Sequence, residues 1–148
     1  MGYYSIAASL ILISGKIDAD NFSDIDYSNS YIESTVRFPV IKINDFAVDK
    51  RFQRNKIGTK MMFYLFNNLY LMYSIANIGM TAITLQSKNS AVEFYKKFGF
   101  KYVHKDYNDL RVDPFGNKDY YPMMIGMDKV FKIVEESGFP VSNDPYNP

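Results

Sequence analysis

Residues 46–59 have the sequence FAVDKRFQRNKIGT, in which a short apolar segment runs into a loop with four basic residues. Upstream, residues 36–48 are mostly apolar and predict a strand. Downstream, apolar residues recur at a spacing of four, which is typical of one face of a long helix; they are Ile57, Met61, Leu65, Leu69 and Tyr73. This order predicts a strand, a basic loop and a helix that ends at residues 77–79.

The start of that helix is a candidate anion site. The first amides of a helix have no partner inside it, and the helix dipole adds partial positive charge there, so phosphates bind such ends. Arg54 and Lys56 would add charge-assisted contacts. The predicted pyrophosphate site is Gln53-Arg54-Asn55-Lys56-Ile57-Gly58-Thr59. A solvated loop that caps the helix explains the same residues equally well. A nucleotide P-loop does not, because its Gly-Lys-Ser/Thr order is replaced by Gly58-Thr59-Lys60.

The remaining sequence predicts a mixed α/β chain. A strand-helix-strand order over residues 36–85 implies a right-handed crossover and parallel pairing. Ser87, Asn89 and Ser90 are predicted to cap the second helix, and Gly99 to stop it. The other predicted strands are Gly2–Ile13, Met80–Leu85, Phe100–Val103 and Tyr120–Met127, and the other predicted helices are Asn89–Phe98 and Met127–Glu136. We expect one domain over residues 1–136, a long loop over 16–35 and a frayed tail over 137–148.

Composition excludes several classes of site. The chain has 148 residues, no cysteine and one histidine, so disulfides, thiolate nucleophiles and histidine or cysteine metal sites are not expected. Its net charge of +1 gives no argument for a nucleic-acid or membrane partner. The apolar run Ile6–Ile13 is too short to span a bilayer. No metal and no membrane association are therefore expected, and the lack of cysteine fits a reducing cytoplasm.

Two motifs resemble those of the GNAT superfamily of N-acetyltransferases. Phe46-Ala47-Val48-Asp49 followed by Gln53-x-x-Lys56-x-Gly58 is similar to its acetyl-CoA motif, a strand, then Arg/Gln-x-x-Gly-x-Gly/Ala, then a helix. Asn89, Ala91, Phe94-Tyr95 and Gly99-Phe100 resemble its second motif. The resemblance implies an α/β fold with a mixed, mostly antiparallel sheet flanked by helices and shortened at its N-terminus. Lys56 departs from the pattern, because the family has glycine there.

The resemblance also implies a mechanism. Acetyl-CoA is the cosubstrate, and a primary amine attacks it directly, so no enzyme nucleophile is needed. The strand splays near Phe46, Ala47 and Val48, where free backbone groups pair with the pantetheine arm. Asn89 helps to hold CoA, unless it only caps its helix. Tyr95 protonates the departing thiolate, unless it only fills the core. No general base stands out among Asp45, Glu33, His104 and Asp106, and Tyr120 and Tyr121 are candidates to line the acceptor cleft.

Within the superfamily the chain most resembles the toxin-like branch that acetylates aminoacyl-tRNA. Gly2-Tyr3-Tyr4-Ser5-Ile6-Ala7 and Phe38-Pro39-Val40 carry this likeness. The acceptor is therefore expected to be an amine of a small molecule, a peptide or an aminoacyl-tRNA. A GNAT-fold module that binds acyl-CoA or a partner protein without turnover is the third alternative. Relatives carry further elements before the Gly-Tyr-Tyr segment, so we expect an uncovered sheet edge and a homodimer.

Overall fold

A computed structural model describes residues 2–14, 35–103 and 120–138. The strands are β1 (Gly2–Ser14), β2 (Thr35–Val48), β3 (Ala82–Lys88), β4 (Lys101–Tyr102) and β5 (Tyr120–Gly126). The helices are α1 (Ile57–Ala76), α2 (Val92–Lys96) and α3 (Met127–Glu136), and 3₁₀ turns precede α1 and α2 at Lys50–Phe52 and Asn89–Ala91. Residues 15–34, 104–119 and 139–148 lie outside the described residues, and with them most of the predicted loop over 16–35 and of the predicted tail over 137–148.

The described strands form one sheet in the order β1-β2-β3-β5-β4. β2 and β3 pair in parallel, and every other neighbouring pair is antiparallel. α1 connects the two parallel strands, as a crossover between parallel strands requires. The predicted α/β fold, with a mixed and mostly antiparallel sheet, is confirmed.

The main core lies between one face of the sheet and the helices. Because side chains alternate along a strand, Ile41 and Ile43 of β2 and Ile83 and Leu85 of β3 point to the same face. All three helices contribute buried side chains to this cluster. A smaller cluster on the opposite face contains Val40, Ala82 and Met124. The three helices therefore pack against one face of the sheet.

Helix α1 buries a stripe that is rotated slightly from the predicted one. Its fully buried side chains are Met62, Leu65, Phe66 and Leu69. Met61 is only half-buried and Tyr73 is exposed, although the spacing of four placed both on the apolar face. The helix ends as predicted, because Asn77 at its C-cap takes the left-handed conformation that stops helices.

β2 carries two irregularities of different kinds. Pro39 lies where β2 pairs with β1 only, opposite Leu10, and its carbonyl accepts a hydrogen bond from the Thr81 amide. Pro39 therefore lies just before the parallel pairing with β3 begins at Val40, where a proline that lacks the amide donor is tolerated. Farther along, the register with β1 slips, since Ser5 pairs with Asp45 and the next residue, Ile6, pairs with Ile43. Asn44 is therefore the extra residue of a β-bulge.

The segment around the second motif differs from its prediction in two ways. β3 begins at Ala82 instead of Met80 and continues through the polar residues to Lys88, because β5 pairs with it along its whole length. The predicted side-chain caps are absent: neither Asn89–Ala91 nor α2 starts with a capping side chain. The buried Ser87 hydroxyl instead donates to the carbonyl of Lys88.

Gly99 stops the second helical segment as predicted. Its φ is +92°, a conformation that glycine adopts without steric cost.

Within residues 2–14, 35–103 and 120–138, no helix has both the length and the apolar character needed to cross a lipid bilayer.

Candidate functional site

A cavity of about 500 Å³ opens beside the C-terminal half of β2. It lies between that strand, the basic loop, the first turn of α1 and the residues around α2. Its lining residues are Phe46, Val48, Phe52, Gln53, Arg54, Lys56, Ile57, Gly58, Thr59, Ser90, Ala91, Phe94 and Tyr95. The volume falls in the usual range for small-molecule and cofactor sites.

The cavity exists because β2 and β3 separate. Their parallel pairing ends at Ile43 and Leu85, directly before the bulge at Asn44. β2 continues to Val48 paired with β1 alone, while β3 continues to Lys88 paired with β5 alone. Every second residue of this part of β2 therefore directs its N–H and C=O toward the gap. Such a free edge accepts an extended ligand in the way a sheet accepts another strand.

The loop after β2 is built by local hydrogen bonds. The Asp49 carboxylate caps the 3₁₀ turn by accepting from the Arg51 amide at 2.9 Å. The Gln53 side-chain amide donates to the Val48 carbonyl at 2.9 Å, which ties the loop to the end of the strand. Gln53 thus holds the loop to β2 and also lines the cavity.

Two non-glycine residues in this loop adopt left-handed backbone conformations. Arg54 has a φ of 66° and Lys56, the N-cap of α1, has a φ of 59°. This conformation costs roughly 1–2 kcal/mol in a residue with a Cβ. A left-handed residue followed by a helical one turns successive amides inward, which forms a concave anion site. Lys56 therefore keeps the backbone conformation that the family's glycine adopts easily.

The amides of Ile57, Gly58 and Thr59 lie at the start of α1. The first helical hydrogen bond in this turn runs from the Lys60 amide to the Lys56 carbonyl at 3.0 Å, so the three preceding amides have no acceptor inside the helix. No side chain caps this end, and no acidic residue lies in the first turn. The end is electropositive and unneutralised.

The basic side chains around the loop differ in whether an acidic partner neutralises them. Arg51 forms an ion pair with Asp49, with 2.7 Å between guanidinium nitrogen and carboxylate oxygen. The hydrogen bonds from Arg51 lower the pKa of the Asp49 carboxyl, so this pair stays charged and mutually compensated. Within the described part of the chain, Arg54 and Lys56 have no acidic partner, and both line the cavity. These two residues supply its uncompensated positive charge.

An aromatic cluster closes the opposite wall. The Phe46 ring lies 5.8 Å from Phe94 and 6.2 Å from Tyr95, measured between ring centroids. Tyr95 also packs edge-on against Phe100 at 5.7 Å. These contacts join β2 to α2 across the gap where the strands no longer pair, so ring packing replaces the missing hydrogen bonds.

Tyr95 combines burial with access to the cavity. Its side chain is 7% exposed, and burial raises its pKa above the ordinary tyrosine value. The Tyr95 hydroxyl has no hydrogen-bond partner among the described residues. It is nevertheless not among the side-chain atoms that are both fully buried and unpaired. The hydroxyl therefore remains accessible and holds its proton at neutral pH.

Most of the residues singled out in the sequence come together at this cavity, but three do not line it. Ala47 points to the opposite face of the sheet, where it pairs with Tyr3, and Asn55 and Asn89 also lie outside the lining. The lining residues that sequence reasoning missed are Phe52, Ser90, Ala91 and Phe94. Alternation along β2 excludes Ala47, and Ser90 and Ala91 directly follow Asn89.

The other candidates for chemistry lie elsewhere. Asp45 accepts a hydrogen bond from the Ser5 hydroxyl at 2.6 Å and does not line the cavity. Tyr120 and Tyr121, on β5, are half-buried and do not line it either. Glu33, His104 and Asp106 lie outside the described residues. Within the described part of the chain, no group of three or more histidines, cysteines or carboxylates is placed to hold a metal ion.

Several solved structures are similar in fold. A bacterial toxin has a TM-score of 0.59 at 14% identity, over 88% of this chain and 63% of that one. AtaTR bound with AcCoA has a TM-score of 0.62 at 14% identity, over 90% and 65%. AtaT complexed with acetyl-methionyl-tRNAfMet has a TM-score of 0.60 at 14% identity, over 89% and 65%. The chain thus spans less than two thirds of their length, and at this identity the likeness shows the fold alone.

Sequence comparison identifies the family directly. No curated protein matches the chain at a significant level. The family model described as an acetyltransferase (GNAT) domain matches residues 29–112, which include the basic loop, α1 and α2. The match covers more than half of the chain, and the chain therefore belongs to the GNAT acetyltransferase family.

Proposed function

We propose that the chain transfers an acetyl group from acetyl-CoA to a primary amine by direct attack. The observation that carries this proposal is the cavity at the separation of β2 and β3, which joins an uncapped helix start, a free strand edge and the Tyr95 hydroxyl. Each of these features fits a different part of acetyl-CoA, and they occur in the order that the molecule requires.

The basic loop fits the pyrophosphate. The amides of Ile57, Gly58 and Thr59 donate to its oxygens, and Arg54 and Lys56 add charge. Gln53 holds the loop to the end of β2, so the amides and the strand edge keep a fixed separation. Asn55 and Asn89 are also predicted to contact acetyl-CoA. Because they do not line the cavity, their contacts would lie outside it.

The free edge of β2 fits the pantetheine arm. Its amide groups are spaced along an extended chain, and they pair with the N–H and C=O groups of β2 between Phe46 and Val48, apart from the Val48 carbonyl, which already accepts from Gln53. The side chains of these two residues face the cavity and cover the apolar part of the arm. This pairing directs the thioester toward the buried end of the cavity, where Tyr95 lies.

Acetyl-CoA supplies an activated acetyl thioester, which an amine attacks without a covalent enzyme intermediate. The new C–N bond forms as the C–S bond breaks, and Tyr95 gives its proton to the departing sulfur. The amine releases its own proton to water. Burial keeps Tyr95 protonated, which is the state that a general acid needs.

An aminoacyl-tRNA is the second candidate acceptor, and the distribution of charge favours it. Residues 50–101 contain nine basic residues and one acidic residue, Glu93, although the whole chain is close to neutral. All nine basic side chains are exposed. Two of them, Arg54 and Lys56, line the cavity, and such a cationic region suits a polyanionic acceptor. Transfer of acetyl groups to charged tRNA, with growth arrest on expression, would distinguish this toxin function from acetylation of small amines or peptides.

A module that binds acyl-CoA or a partner without turnover is the third candidate. The observation that favours it is Lys56, which places a strained residue where close approach to pyrophosphate is needed. Binding of CoA without any acetyl transfer to small amines, peptides or charged tRNA would identify such a module.

We also propose that the chain forms a homodimer through the outer edge of β1. This strand has 13 residues, none of them charged and none of them proline, and within the described residues its outer edge has no partner. Leu10 and Leu12 of β1 are 57% and 54% exposed. Natural edge strands are usually protected by charge, proline or bulges, so an edge without them is suited to pairing. Antiparallel pairing of β1 with its copy would cover both edges.

Acetyl-CoA binding should depend on salt and on Lys56. Calorimetry should show weaker binding at 500 mM than at 50 mM NaCl, because the charges of Arg54 and Lys56 are screened. Lys56→Gly keeps access to the left-handed backbone but removes a charge, so it should bind more weakly at low salt and respond less to salt. Lys132→Ala, on α3 and away from the cavity, serves as the control. No binding at low salt by the unchanged protein would contradict the proposal.

Tyr95→Phe should lower kcat by about 10²- to 10⁴-fold and leave acetyl-CoA affinity nearly unchanged, since it removes one hydroxyl and keeps the ring. Because burial raises the pKa of Tyr95 above the ordinary tyrosine value, the hydroxyl keeps its proton around neutral pH, so the deficit should be constant there and shrink as pH rises through that pKa. Tyr4→Phe is the matched control, because Tyr4 also packs on Phe46 but does not line the cavity. Equal kcat for both variants would show that Tyr95 is structural.

Light scattering should return about twice the 17.2 kDa mass of one chain at micromolar concentrations. Replacing both Leu10 and Leu12 with lysine should give the monomer mass, because buried like charges oppose edge pairing. Gln86→Lys, an exposed change on β3, should leave the dimer intact. A monomer mass for the unchanged chain at all concentrations would refute this assembly.

A further inference from the structure

Phe52 is an exposed aromatic residue at the rim of the cavity. It ends the 3₁₀ turn before the basic loop, lines the cavity and is 44% exposed. A solitary exposed phenylalanine is common on protein surfaces, but this one borders a ligand cavity next to several cations. Its flat apolar ring is therefore available to stack on a planar group of a ligand.

Phe52 is held in the 3₁₀ turn by a backbone hydrogen bond, and its ring contacts a guanidinium. Its amide donates to the Asp49 carbonyl at 2.8 Å, and Asp49 also binds the Arg51 guanidinium. The guanidinium carbon of Arg51 lies 5.8 Å from the centroid of the Phe52 ring, within cation–π range. The Asp49–Arg51 ion pair therefore places the guanidinium beside the Phe52 ring.

The cavity has a buried end and an open end. Of its lining residues, Tyr95 is 7% exposed and Phe52 is 44% exposed, and the same lining includes residues 57–59 and the side chains of Arg54 and Lys56. If the thioester lies at Tyr95 and the pyrophosphate at those amides, the group beyond the pyrophosphate emerges next to Phe52. In CoA that group is adenosine 3′-phosphate. This placement rests on the proposed function.

We infer that Phe52 is the stacking platform for the adenine ring of CoA. Every purine has a π-face, and an aromatic side chain beside cations is the usual arrangement for holding a base without reading its edge. The chain would therefore prefer free acyl-CoA to an acyl group carried on phosphopantetheine alone, which lacks the nucleotide. Phe52 is a specificity residue in this account, because it touches the part of the cosubstrate farthest from the reacting atoms.

Three ligands separate the contribution of the base from those of the phosphates. Calorimetry at one ionic strength would compare CoA, dephospho-CoA, which keeps adenine without the 3′-phosphate, and 4′-phosphopantetheine, which has no nucleotide. Phe52→Leu should weaken CoA and dephospho-CoA by the same factor, roughly 5- to 150-fold, because base–aromatic stacking has that strength. Its affinity for 4′-phosphopantetheine should change by less than about twofold.

The control is Tyr3→Leu, which also replaces an exposed aromatic residue but on β1, outside the cavity lining. It should leave all three affinities unchanged, and thermal melts of both variants would verify folding. An equal loss for all three ligands, or no loss for any, would overturn the role of Phe52 while leaving CoA binding established. Absence of CoA binding by the unchanged protein would overturn the proposed function and this inference with it.

Discussion

The loss of pairing between β2 and β3 is the constraint on which the site depends. The parallel ladder stops at Ile43 and Leu85, and the bulge at Asn44 turns β2 away from its neighbour. A sheet interrupted in this way exposes backbone groups whose burial without partners is costly. The rings of Phe46, Phe94 and Tyr95 close the gap on one side, and the cavity occupies the rest. The same break that weakens the sheet therefore creates a free edge shaped for an extended ligand.

In the basic loop, two residues adopt an unfavourable backbone conformation and at the same time supply positive charge. Arg54 and Lys56 adopt left-handed conformations that favour glycine, and Lys56 does so at the position where the GNAT pattern has glycine. A glycine there would allow closer approach of the backbone to an anion. A lysine keeps the orientation of the amides and adds a full charge that acts over a longer range. Unlike hydrogen bonds from backbone amides, this contribution falls as salt rises.

Much of the fold was predictable because its signals are local. Spacing of apolar residues identified α1, and the order of elements identified the parallel pair. The errors arose where tertiary contacts decide. Gln86–Lys88 look like the start of a loop, yet pairing with β5 keeps them in β3. The cavity is also lined by Ser90 and Ala91, which directly follow Asn89 and carry no local signal of a ligand contact. Phe52 has no distinguishing local pattern, since only the fold brings it to the rim.

Hydrogen–deuterium exchange with and without acetyl-CoA reports on the backbone amides that we assign to ligand binding. Saturating acetyl-CoA should slow exchange in residues 46–48 and 57–59 and leave the β1–β2 pairing at residues 6–12 unchanged. Protection confined to those two segments would place the ligand at the strand separation and the helix start. Binding that leaves both segments unprotected would contradict the account.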